Sequence, residues 1–424
     1  MLTEIATRAI RRYLVGPEQE FVFRAPDKIR LPQVEKVGLY LHIPFCKNMC
    51  PYCPYNKIKY EKRLVSPYLK AVLQEIEKYY SFLGKIKIVS IYIGGGTPTN
   101  LIDELGIILE KIKERFVVTG DICIETTPNE INKEAVKNLE RYGVNLVSLG
   151  VQSFNDKYLE LIGRNYKAKI LGPAIDLVLS SNFKSVNLDF MFALPNQRVG
   201  EVIEDVKKAV SSGADQITFY PLFTFPYSTV GRHLKLKRVK MPNVVIRRKM
   251  YRAIHDFCLG NGFKRVSVWG FKRGDGPRYS SVTRDNYIGL GAGAATQLPG
   301  IYYFNTFSVK EYIKVASKGE LPIAIKMNLT KSLSSYYWLY WRLYDTCIPK
   351  KQFFEVFGEN NRKLSRIARL FKLFGLYEED ENGVTLNERG AFWIHLVQNY
   401  FFLDYVNKVW SVAKEDPWPK EIKI

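Results

Sequence analysis

Short apolar segments of strand length alternate with longer segments of helical periodicity between residues 37 and 221. Runs of about four to eight apolar or β-branched residues are typical of buried strands, whereas apolar positions three and four residues apart are typical of helices. The pattern predicts six strands, at residues 37–43, 86–93, 122–126, 146–151, 186–192 and 216–221. Helices are predicted to follow them at residues 67–83, 101–116, 129–142, 168–181, 199–212 and 245–259.

A strand that is followed each time by a helix indicates an α/β fold, in which helices cover a parallel sheet. The pattern leaves open whether the sheet closes into a barrel or stays open. In either arrangement, ligands bind at the carboxyl ends of the strands. The third helix is expected to begin with Asn129 as its N-cap and to end at Gly143.

The chain divides into three parts by its composition. Residues 1–36 form an N-terminal extension, and its helical periodicity predicts a helix that could pack on its own domain or lie on a membrane surface. Residues 37–327 form the α/β core and its extension. Residues 328–424 are predicted to form a separate, small and mostly helical domain, with a long aromatic helix at residues 391–412. This last domain could be winged-helix-like.

The chain is strongly basic, with 424 residues, a formal net charge of +21 and a pI near 9.5. This charge is compatible with an anionic substrate, with peripheral contact to an anionic membrane, or with a solvated Lys-rich surface. Nucleic acid is the least favoured partner, and residues 231–240 would be its basic contact segment. The sequence has no secretory signal and no apolar stretch long enough to span a membrane, so a cytoplasmic location is expected.

Three of the six cysteines, Cys46, Cys50 and Cys53, lie within eight residues in a C-x3-C-x2-C spacing. A structural zinc site usually takes four ligands from two separated pairs, so this spacing does not favour zinc. It favours a 4Fe-4S cluster, in which three thiolates leave one iron without a protein ligand and open to chemistry. The other cysteines are isolated in the sequence and are expected in the core: Cys123, Cys258 and Cys347.

Glycines and polar residues follow the predicted strands at the edge where a ligand is expected. The run Gly-Gly-Gly-Thr-Pro-Thr at residues 94–99 follows the second strand, and its backbone N–H groups are expected to be free for a ligand. Glu125 ends the third strand, Gln152 follows the fourth, and Asp189 lies inside the apolar fifth strand. A shared site is the favoured interpretation, and structural pairing of each residue is the alternative. The glycine-dense run at residues 289–294 predicts another close approach of the backbone.

Together these residues resemble the radical S-adenosylmethionine (SAM) superfamily and, within it, the oxygen-independent coproporphyrinogen III oxidase (HemN-like) family. The matching segments occur in the family's order between residues 37 and 300. They are residues 40–46 with Cys50 and Cys53, residues 94–99, Glu125, residues 150–154, Asp189 with residues 194–197, and residues 289–294. The tail resembles the small C-terminal domain of the family.

The resemblance implies a partial (β/α)6 barrel in which the three motif cysteines hold a 4Fe-4S cluster. SAM would bind the fourth iron, and its reductive cleavage would give a 5′-deoxyadenosyl radical that takes hydrogen from an unactivated carbon. One or two SAM molecules, a small-molecule or lipid substrate, and an electron donor such as ferredoxin or flavodoxin are implied. The residues implied to line the SAM site are Tyr40, Tyr52, Gly95, Gly96, Thr97, Glu125, Gln152, Arg164 and Asp189, of which Gly95, Gly96 and Thr97 would contact the amine, Arg164 the carboxylate and Asp189 the ribose hydroxyls.

Two departures from the family bear on the substrate. The oxidase has a further cysteine two residues after the third, where this chain has Tyr55. The heme chaperone branch has a His-Asn-x-x-Tyr motif, where this chain reads Arg284-Asp285-Asn286-Tyr287. The resulting hypothesis is a radical SAM enzyme that modifies an unactivated carbon by C–H abstraction, methyl transfer or C–C bond formation, with no catalytic residue assigned. A heme chaperone and a porphyrin-related oxidase are the alternatives.

Overall fold

The computed structural model describes residues 5, 7, 9, 10, 12, 13, 21–27, 29–223, 241–280, 285–358 and 361–424. The basic segment at residues 231–240, Arg284 and most of the expected N-terminal helix lie outside the described residues. The predictions made for them therefore stay predictions.

The described chain contains both strands and helices in the alternation that the sequence predicts. In chain order the strands are β1 (Val22–Arg24), β2 (Lys36–Ile43), β3 (Phe45–Cys46), β4 (Ile58–Lys59), β5 (Lys87–Gly95), β6 (Val117–Val118), β7 (Ile122–Thr126), β8 (Leu146–Gln152), β9 (Ser185–Phe192), β10 (Gln216–Pro221), β11 (Lys264–Arg265), β12 (Gly270–Lys272), β13 (Tyr287–Leu290), β14 (Ala295–Leu298), β15 (Ile301–Asn305), β16 (Ile323–Asn328), β17 (Cys347–Pro349), β18 (Tyr377–Glu379), β19 (Gly383–Leu386) and β20 (Glu421–Lys423).

The helices of the described chain lie mostly between these strands. They are α1 (Lys62–Leu83), α2 (Ile102–Arg115), α3 (Lys133–Tyr142), α4 (Asp156–Leu161), α5 (Leu171–Leu179), α6 (Val199–Ser211), α7 (Val244–Gly260), α8 (Val309–Ala316), α9 (Lys331–Tyr344), α10 (Lys350–Phe357), α11 (Arg362–Leu373) and α12 (Glu388–Glu415). None of these helices is both long and apolar enough to cross a lipid bilayer.

Six parallel strands form the centre of one large sheet, in the order β2-β5-β7-β8-β9-β10. They are the six predicted strands, with bounds that agree to within two residues. The sheet continues beyond β10 through antiparallel β12 and β11, and beyond β2 through β13 to β16, so β2 and β10 do not pair in the described chain. The barrel is therefore partial and open, which the sequence pattern left undecided.

The third predicted helix begins later than expected. Asn132, rather than Asn129, is the N-cap of α3, because its side chain accepts a hydrogen bond from the N–H of Ala135 at 2.9 Å. Asn129 lies in a separate 3-10 turn that starts at Pro128, and extended backbone at Ile131 ends that turn. The predicted end is confirmed, since Gly143 has a left-handed φ of 85°.

The C-terminal part contains the expected helices and a small sheet of its own, in the order β17-β19-β18. The expected long helix is α12, which begins at Glu388 and ends at Glu415. The last strand, β20, returns to the large sheet and pairs with β1, which in turn pairs with β16. Segments near both chain ends thus join the sheet of the core, and the domain boundaries at residues 36 and 327 stay predictions.

The glycine-dense run at residues 289–294 lies against α1 and β2, as its composition predicts. Gly291 has a φ of 101°, and a methyl group there would lie 2.5 Å from the Tyr68 hydroxyl and from the carbonyl oxygen of His42. Only glycine fits such an approach without displacing its neighbours. The tight packing brings the backbone of this run onto a buried carboxylate of α1.

That carboxylate is Glu75, which is fully buried and joins α1 to the glycine-dense run, to β15 and to α8. It accepts hydrogen bonds from Gly291 N–H at 2.9 Å, from Asn305 Nδ2 at 2.7 Å and from the Tyr312 hydroxyl at 2.6 Å. Burial raises the pKa of Glu75 to about 7, although these three hydrogen bonds lower it. The carboxyl group therefore holds its proton more tightly in the folded protein than in the unfolded chain.

We expect Glu75 to make the free energy of unfolding fall as the pH rises. Its contribution is fully present below pH 4.5, the ordinary pKa of the group, and is lost as the pH rises to about 7. The size of the change is on the order of 3 kcal/mol. Urea-induced unfolding of the wild type and of Glu75→Gln should therefore differ in pH dependence within this window, whereas exposed Glu110→Gln should follow the wild type. Parallel curves for the wild type and Glu75→Gln would contradict this prediction.

Candidate functional site

A cavity of about 370 Å³ lies at the carboxyl ends of the parallel strands, where the sequence pattern places a ligand. Two loops line it, and we call them the cysteine loop (residues 46–57) and the glycine loop (residues 94–99). Polar residues at or near the ends of β7, β8 and β9 line it as well. Helices α9 and α12 of the C-terminal part complete the lining.

The cysteine loop is held by one of its own lysines. Lys57 Nζ donates to the carbonyl oxygens of Cys50 and Cys53, at 2.9 and 2.8 Å. The Thr97 hydroxyl lies 3.8 Å from Cys46 Sγ. Burial raises the pKa of the Cys46 thiol to about 11. The loop thus has a defined conformation in which all three motif cysteines line the cavity.

The donor set fits an iron–sulfur cluster better than a single metal ion. No three His, Cys, Asp or Glu side chains of the described residues lie close enough together to hold one ion. Protein ligands of a cluster bind separate irons and do not need to converge on one point. Soft thiolates in a partly apolar cavity are the ligands that such clusters use. The cysteine loop could therefore hold a 4Fe-4S cluster.

The glycine loop lies directly on the backbone of the cysteine loop. A methyl group on Gly96 would lie 2.8 Å from the carbonyl oxygen of Phe45 and 2.9 Å from Cys46 Sγ, distances that real side chains do not show. Gly95 has a φ of 118°, which side chains rarely adopt. The glycines are thus required by a backbone-to-backbone contact beside the first cysteine.

The expectation that the N–H groups of the glycine loop are free is wrong. Gly96 N–H donates to the carbonyl oxygen of Ile43 at 2.7 Å. Thr97 N–H donates to that of Phe45 at 2.9 Å. These donors fasten the glycine loop to β2 and β3. A ligand amine is itself a donor, so it would have to meet oxygen acceptors here.

Glu125 reaches the same loop from the end of β7. Its carboxylate accepts hydrogen bonds from the Tyr92 hydroxyl and, at 3.4 Å, from Gly95 N–H. Burial raises the pKa of Glu125 to about 7, and the hydrogen bond from Tyr92 opposes this effect. The Tyr92 hydroxyl also accepts a hydrogen bond from that of Tyr279 at 3.2 Å. The carboxyl group can therefore hold or release a proton near neutral pH inside the cavity.

Tyr40 does not line the cavity in the described chain and instead contacts His42 of the same strand. Its hydroxyl lies 2.7 Å from His42 Nδ1, and His42 Nε2 lies 2.8 Å from the carbonyl oxygen of Asn56. A carbonyl can only accept, so Nε2 carries the proton and Nδ1 accepts from Tyr40. Burial lowers the pKa of His42 to about 4, which keeps this imidazole neutral. Sequence reasoning missed His42, although a polar residue inside an apolar strand was its signal.

Asp189 lies at the centre of a polar network on three adjacent strands. Its carboxylate accepts hydrogen bonds from the Ser148 hydroxyl at 2.6 Å and from Asn187 Nδ2 at 2.9 Å. Asn187 in turn accepts a hydrogen bond from the Thr218 hydroxyl at 2.8 Å. Burial raises the pKa of Asp189 to about 6, and the network lowers it. Since Asp189, Ser148 and Thr218 line the cavity, this acid is both structurally paired and accessible to a ligand.

The three remaining predicted residues also line the cavity, and they are Tyr52, Gln152 and Arg164. Gln152 has a φ of 71°, a strained conformation for a residue other than glycine, and its Oε1 accepts from the Tyr220 hydroxyl at 2.7 Å. The Arg164 guanidinium lies 5.7 Å from the ring centres of Tyr52 and Tyr166. Its Nε is buried without a hydrogen-bond partner among the described residues. Arg164 is thus a buried cation with a free donor beside the cysteine loop.

The C-terminal part supplies a side of the cavity that the sequence did not predict. Tyr55 of the cysteine loop is 48% exposed, and its ring lies 6.2 Å from that of Trp410 on α12. Lys414 on the same helix donates to the carbonyl oxygen of Pro54 at 3.0 Å. The lining residues of α12 are spaced three or four apart and so share one face of the helix: His395, Asn399, Phe402, Val406 and Trp410.

The remaining cysteines lie outside this site. Cys123 and Cys258 are buried, as expected. Cys347 is exposed on β17, so the prediction that it lies in the core is wrong. Its strand belongs to the small three-stranded sheet of the C-terminal part.

A family model described as the radical SAM superfamily matches residues 40–209. This range contains all twelve predicted site residues. The heme chaperone HemW of Bacillus subtilis is 28% identical over 360 residues, which cover 83% of this chain and 95% of that protein. The HemW of Buchnera aphidicola (subsp. Schizaphis graminum) is 30% identical over 276 residues, which cover 62% of this chain and 72% of that protein.

The chain belongs to the radical SAM superfamily. Its relatives there are HemN-like proteins, both heme chaperones and coproporphyrinogen oxidases. The solved structure of the coproporphyrinogen III oxidase HemN from Escherichia coli superposes with a TM-score of 0.73 and 22% identity, over 88% of this chain and 91% of that one. At this identity the superposition supports the fold alone. Proteins of the radical SAM superfamily use a 4Fe-4S cluster and SAM, and the cysteine loop fits the cluster.

We expect each of the three motif cysteines to be needed for the cluster. Cys46→Ala, Cys50→Ala and Cys53→Ala should each lose most of the roughly four iron atoms per chain, since a cluster with two protein thiolates is labile. Cys258→Ala removes a buried thiol far from the motif in sequence and should keep the iron. Iron and sulfide content and the visible absorption after anaerobic reconstitution measure this. Full iron content in any of the three motif variants would contradict the assignment.

Gly96→Ala should weaken the cluster although it removes no ligand. The added methyl group would overlap with Cys46 Sγ and the backbone of Phe45, so the first cysteine must move. Gly172→Ala on α5 is the matched control, because a methyl group there would meet no atom within 4 Å. The half-life of the visible absorption in air is expected to fall for Gly96→Ala and to stay unchanged for Gly172→Ala. Equal half-lives would show that the close contact does not position Cys46.

Proposed function

We propose that this protein is a radical SAM enzyme whose active site is the cavity at the carboxyl ends of β5 to β10. One observation carries the proposal: the three motif cysteines, the glycine loop and Asp189 all face this cavity. A 4Fe-4S cluster on Cys46, Cys50 and Cys53, together with SAM, would supply a 5′-deoxyadenosyl radical that takes a hydrogen atom from an unactivated carbon.

The residues around the cavity have suitable chemistry for SAM. Asp189 is held by Ser148 and Asn187 with carboxylate lone pairs to spare, so it can accept from ribose hydroxyls. Arg164 offers its buried, unpartnered Nε to the SAM carboxylate. Gly95, Gly96 and Thr97 would surround the SAM amine with their oxygen atoms. Tyr52, Gln152 and Glu125 would complete the walls of this half, and Tyr40 would act through His42.

The C-terminal part would protect the reaction from water. A carbon-centred radical reacts with whatever reaches it, so such a site has to exclude solvent and bind its substrate tightly. Helix α12 contacts the cysteine loop through Trp410 and Lys414. Through these contacts α12 would cover part of the cavity next to the expected cluster.

The reaction that we propose is modification of an unactivated carbon in an organic molecule, by C–H abstraction, methyl transfer or C–C bond formation. Tyr55 supports a reaction other than that of the oxidase, because it takes the place of the oxidase's further cysteine. The electron donor would be a small acidic protein of the ferredoxin or flavodoxin type. The net charge of +21 supports attraction to such a partner.

A heme chaperone is the second candidate function. It is supported by the match to the HemW of B. subtilis over 95% of that protein. The absence of the His-Asn-x-x-Tyr motif from the sequence at residues 284–287 counts against it. In this case the protein would bind one heme and release it to another protein without chemical change.

We expect cluster-loaded protein that is reduced with dithionite, without oxygen, to convert SAM into 5′-deoxyadenosine. Asp189→Ala should weaken SAM binding by about 10- to 100-fold, because a hydrogen bond to a charged group contributes about 1.5–3 kcal/mol. Cys258→Ala is the control and should bind SAM as the wild type does. Chromatography of the products and equilibrium dialysis of labelled SAM measure the two quantities.

Heme addition to the same preparation separates the two candidate functions. Formation of 5′-deoxyadenosine without a Soret band would support the enzyme. One heme per chain with a Soret band, and no 5′-deoxyadenosine from a fully loaded cluster, would contradict it and favour the chaperone.

A further inference from the structure

Ring-bearing side chains of α9 and α12, together with Trp269 of the core, line one part of the cavity. We call Trp269, Tyr340, Tyr344, Phe402 and Trp410 the aromatic wall. None of these residues lies within the range matched by the superfamily model, which ends at residue 209. Aromatic rings offer large flat apolar surfaces that stack on other rings. The wall is therefore a separate feature from the proposed cluster and SAM contacts.

One imidazole lies within the aromatic wall. The ring of His395 is 4.9 Å from that of Trp269 at an angle of 90°, and 5.5 Å from that of Tyr344. His395 is only 6% exposed, and neither of its ring nitrogens makes a hydrogen bond of ordinary geometry to a described residue. Burial lowers its pKa to about 4, with a smaller opposite effect of Gln398, so the ring is neutral at pH 7. A neutral imidazole carries one donor and one acceptor.

Gln398 is the polar side chain next to His395. Gln398, one helical turn further along α12, is buried, and its Nε2 donates to the carbonyl oxygen of Tyr340 at 2.7 Å. This hydrogen bond fixes the amide between α12 and α9. A buried donor and acceptor without partners are costly, so the unpaired imidazole is best explained by a ligand or a water molecule in the cavity.

The charges around the cavity decide what kind of ligand fits. Of the four lysines and arginines in the described part of the lining, three already have a charged or backbone partner. Arg278, which lines the cavity, pairs with Asp345 at 2.7 Å, and Lys47 pairs with Glu130 at 2.7 Å. Lys57 binds the backbone of its own loop. Arg164 keeps a free donor, and it is the residue proposed above for the SAM carboxylate. With Arg164 assigned to SAM, a substrate with several carboxylates would find no further unpaired cation among these lining residues.

We propose that His395 and the aromatic wall form the substrate subsite, and that the substrate is an uncharged, flat ring system with a hydrogen-bonding group that meets the imidazole. That this ligand is a substrate rests on the proposed radical chemistry, whereas its binding to the subsite does not. The imidazole would fix the orientation of the ring, and the wall would supply most of the affinity. A water molecule that merely fills the space beside His395 is the competing explanation.

Four small probes of similar size test the subsite on the full-length, cluster-loaded protein with SAM bound. They are 2-naphthol, naphthalene, 2-naphthoate and decahydro-2-naphthol, and tryptophan fluorescence and calorimetry measure their binding. We expect 2-naphthol to bind more tightly than the anionic 2-naphthoate and than decahydro-2-naphthol, which has no flat ring. Tighter binding of 2-naphthoate, or equal binding of the flat and the saturated alcohol, would overturn the proposed ligand class.

Substitution of His395 tests the contribution of the imidazole to ligand binding. His395→Phe should weaken 2-naphthol about tenfold, by loss of one hydrogen bond, and leave naphthalene unchanged. His395→Gln retains a donor and an acceptor and should keep most of the affinity for 2-naphthol. His255→Phe on α7, which replaces a histidine outside the cavity lining, should bind like the wild type. If the imidazole only meets water, His395→Phe and the wild type should bind 2-naphthol with equal affinity, and this result would overturn the proposal. An equal loss of 2-naphthol affinity in His395→Phe and His395→Gln would overturn it as well.

The outcome for the subsite is distinct from that for the proposed function. A wild type that binds 2-naphthol as expected but forms no 5′-deoxyadenosine would refute the radical chemistry and leave the subsite in place. A wild type that forms 5′-deoxyadenosine but binds the four probes without discrimination would refute the subsite and leave the radical chemistry in place.

Discussion

The contact between the glycine loop and the cysteine loop is the constraint on which the site depends. Two backbone segments at the ends of β2 and β5 approach so closely that a methyl group on Gly96 would overlap with Cys46 Sγ. The N–H groups of Gly96 and Thr97 fasten the contact by hydrogen bonds to β2 and β3. Because the first cysteine is fixed to the sheet in this way, its place relative to Glu125 and the cavity follows from the strand register. Glycine is therefore needed here for packing, and any role toward a ligand is added to that need.

Two buried carboxyl groups show that a raised pKa can arise in the core as well as at the cavity. Glu75 and Glu125 are both shifted to a pKa of about 7 by burial. Glu75 accepts from donors in three separate segments of the chain and does not line the cavity in the described structure. Its raised pKa therefore reflects its burial in the core. Glu125 and Asp189 line the cavity and keep carboxylate oxygens available there. A perturbed pKa alone therefore does not distinguish an acid of the core from an acid that faces the cavity.

The sequence predicted what depends on local pattern and missed what depends on distant contacts. The six strands could be predicted because buried parallel strands are short, uninterrupted apolar runs. The grouping of the polar residues at strand ends could be predicted because parallel topology brings the carboxyl ends of the strands to one edge of the sheet. The start of α3 could not, since Pro128 places a separate turn before the capping Asn132. The pairing of Tyr55 with Trp410 joins positions far apart in the chain, and no short-range pattern specifies such a contact.

The two halves of the cavity come from different parts of the chain, and this limits what family membership can say. Residues 40–209, which match the superfamily model, contain the cysteine loop and all proposed SAM contacts. The aromatic wall and His395 begin only at Trp269 and extend to Trp410. A protein can therefore keep the radical chemistry while the wall changes to suit another molecule. The wall meets the cysteine loop at Tyr55, which is the position where a further cysteine is expected in the oxidase. Evidence about the substrate of this protein should for that reason be sought in α9, α12 and Tyr55 rather than in the cysteine motif.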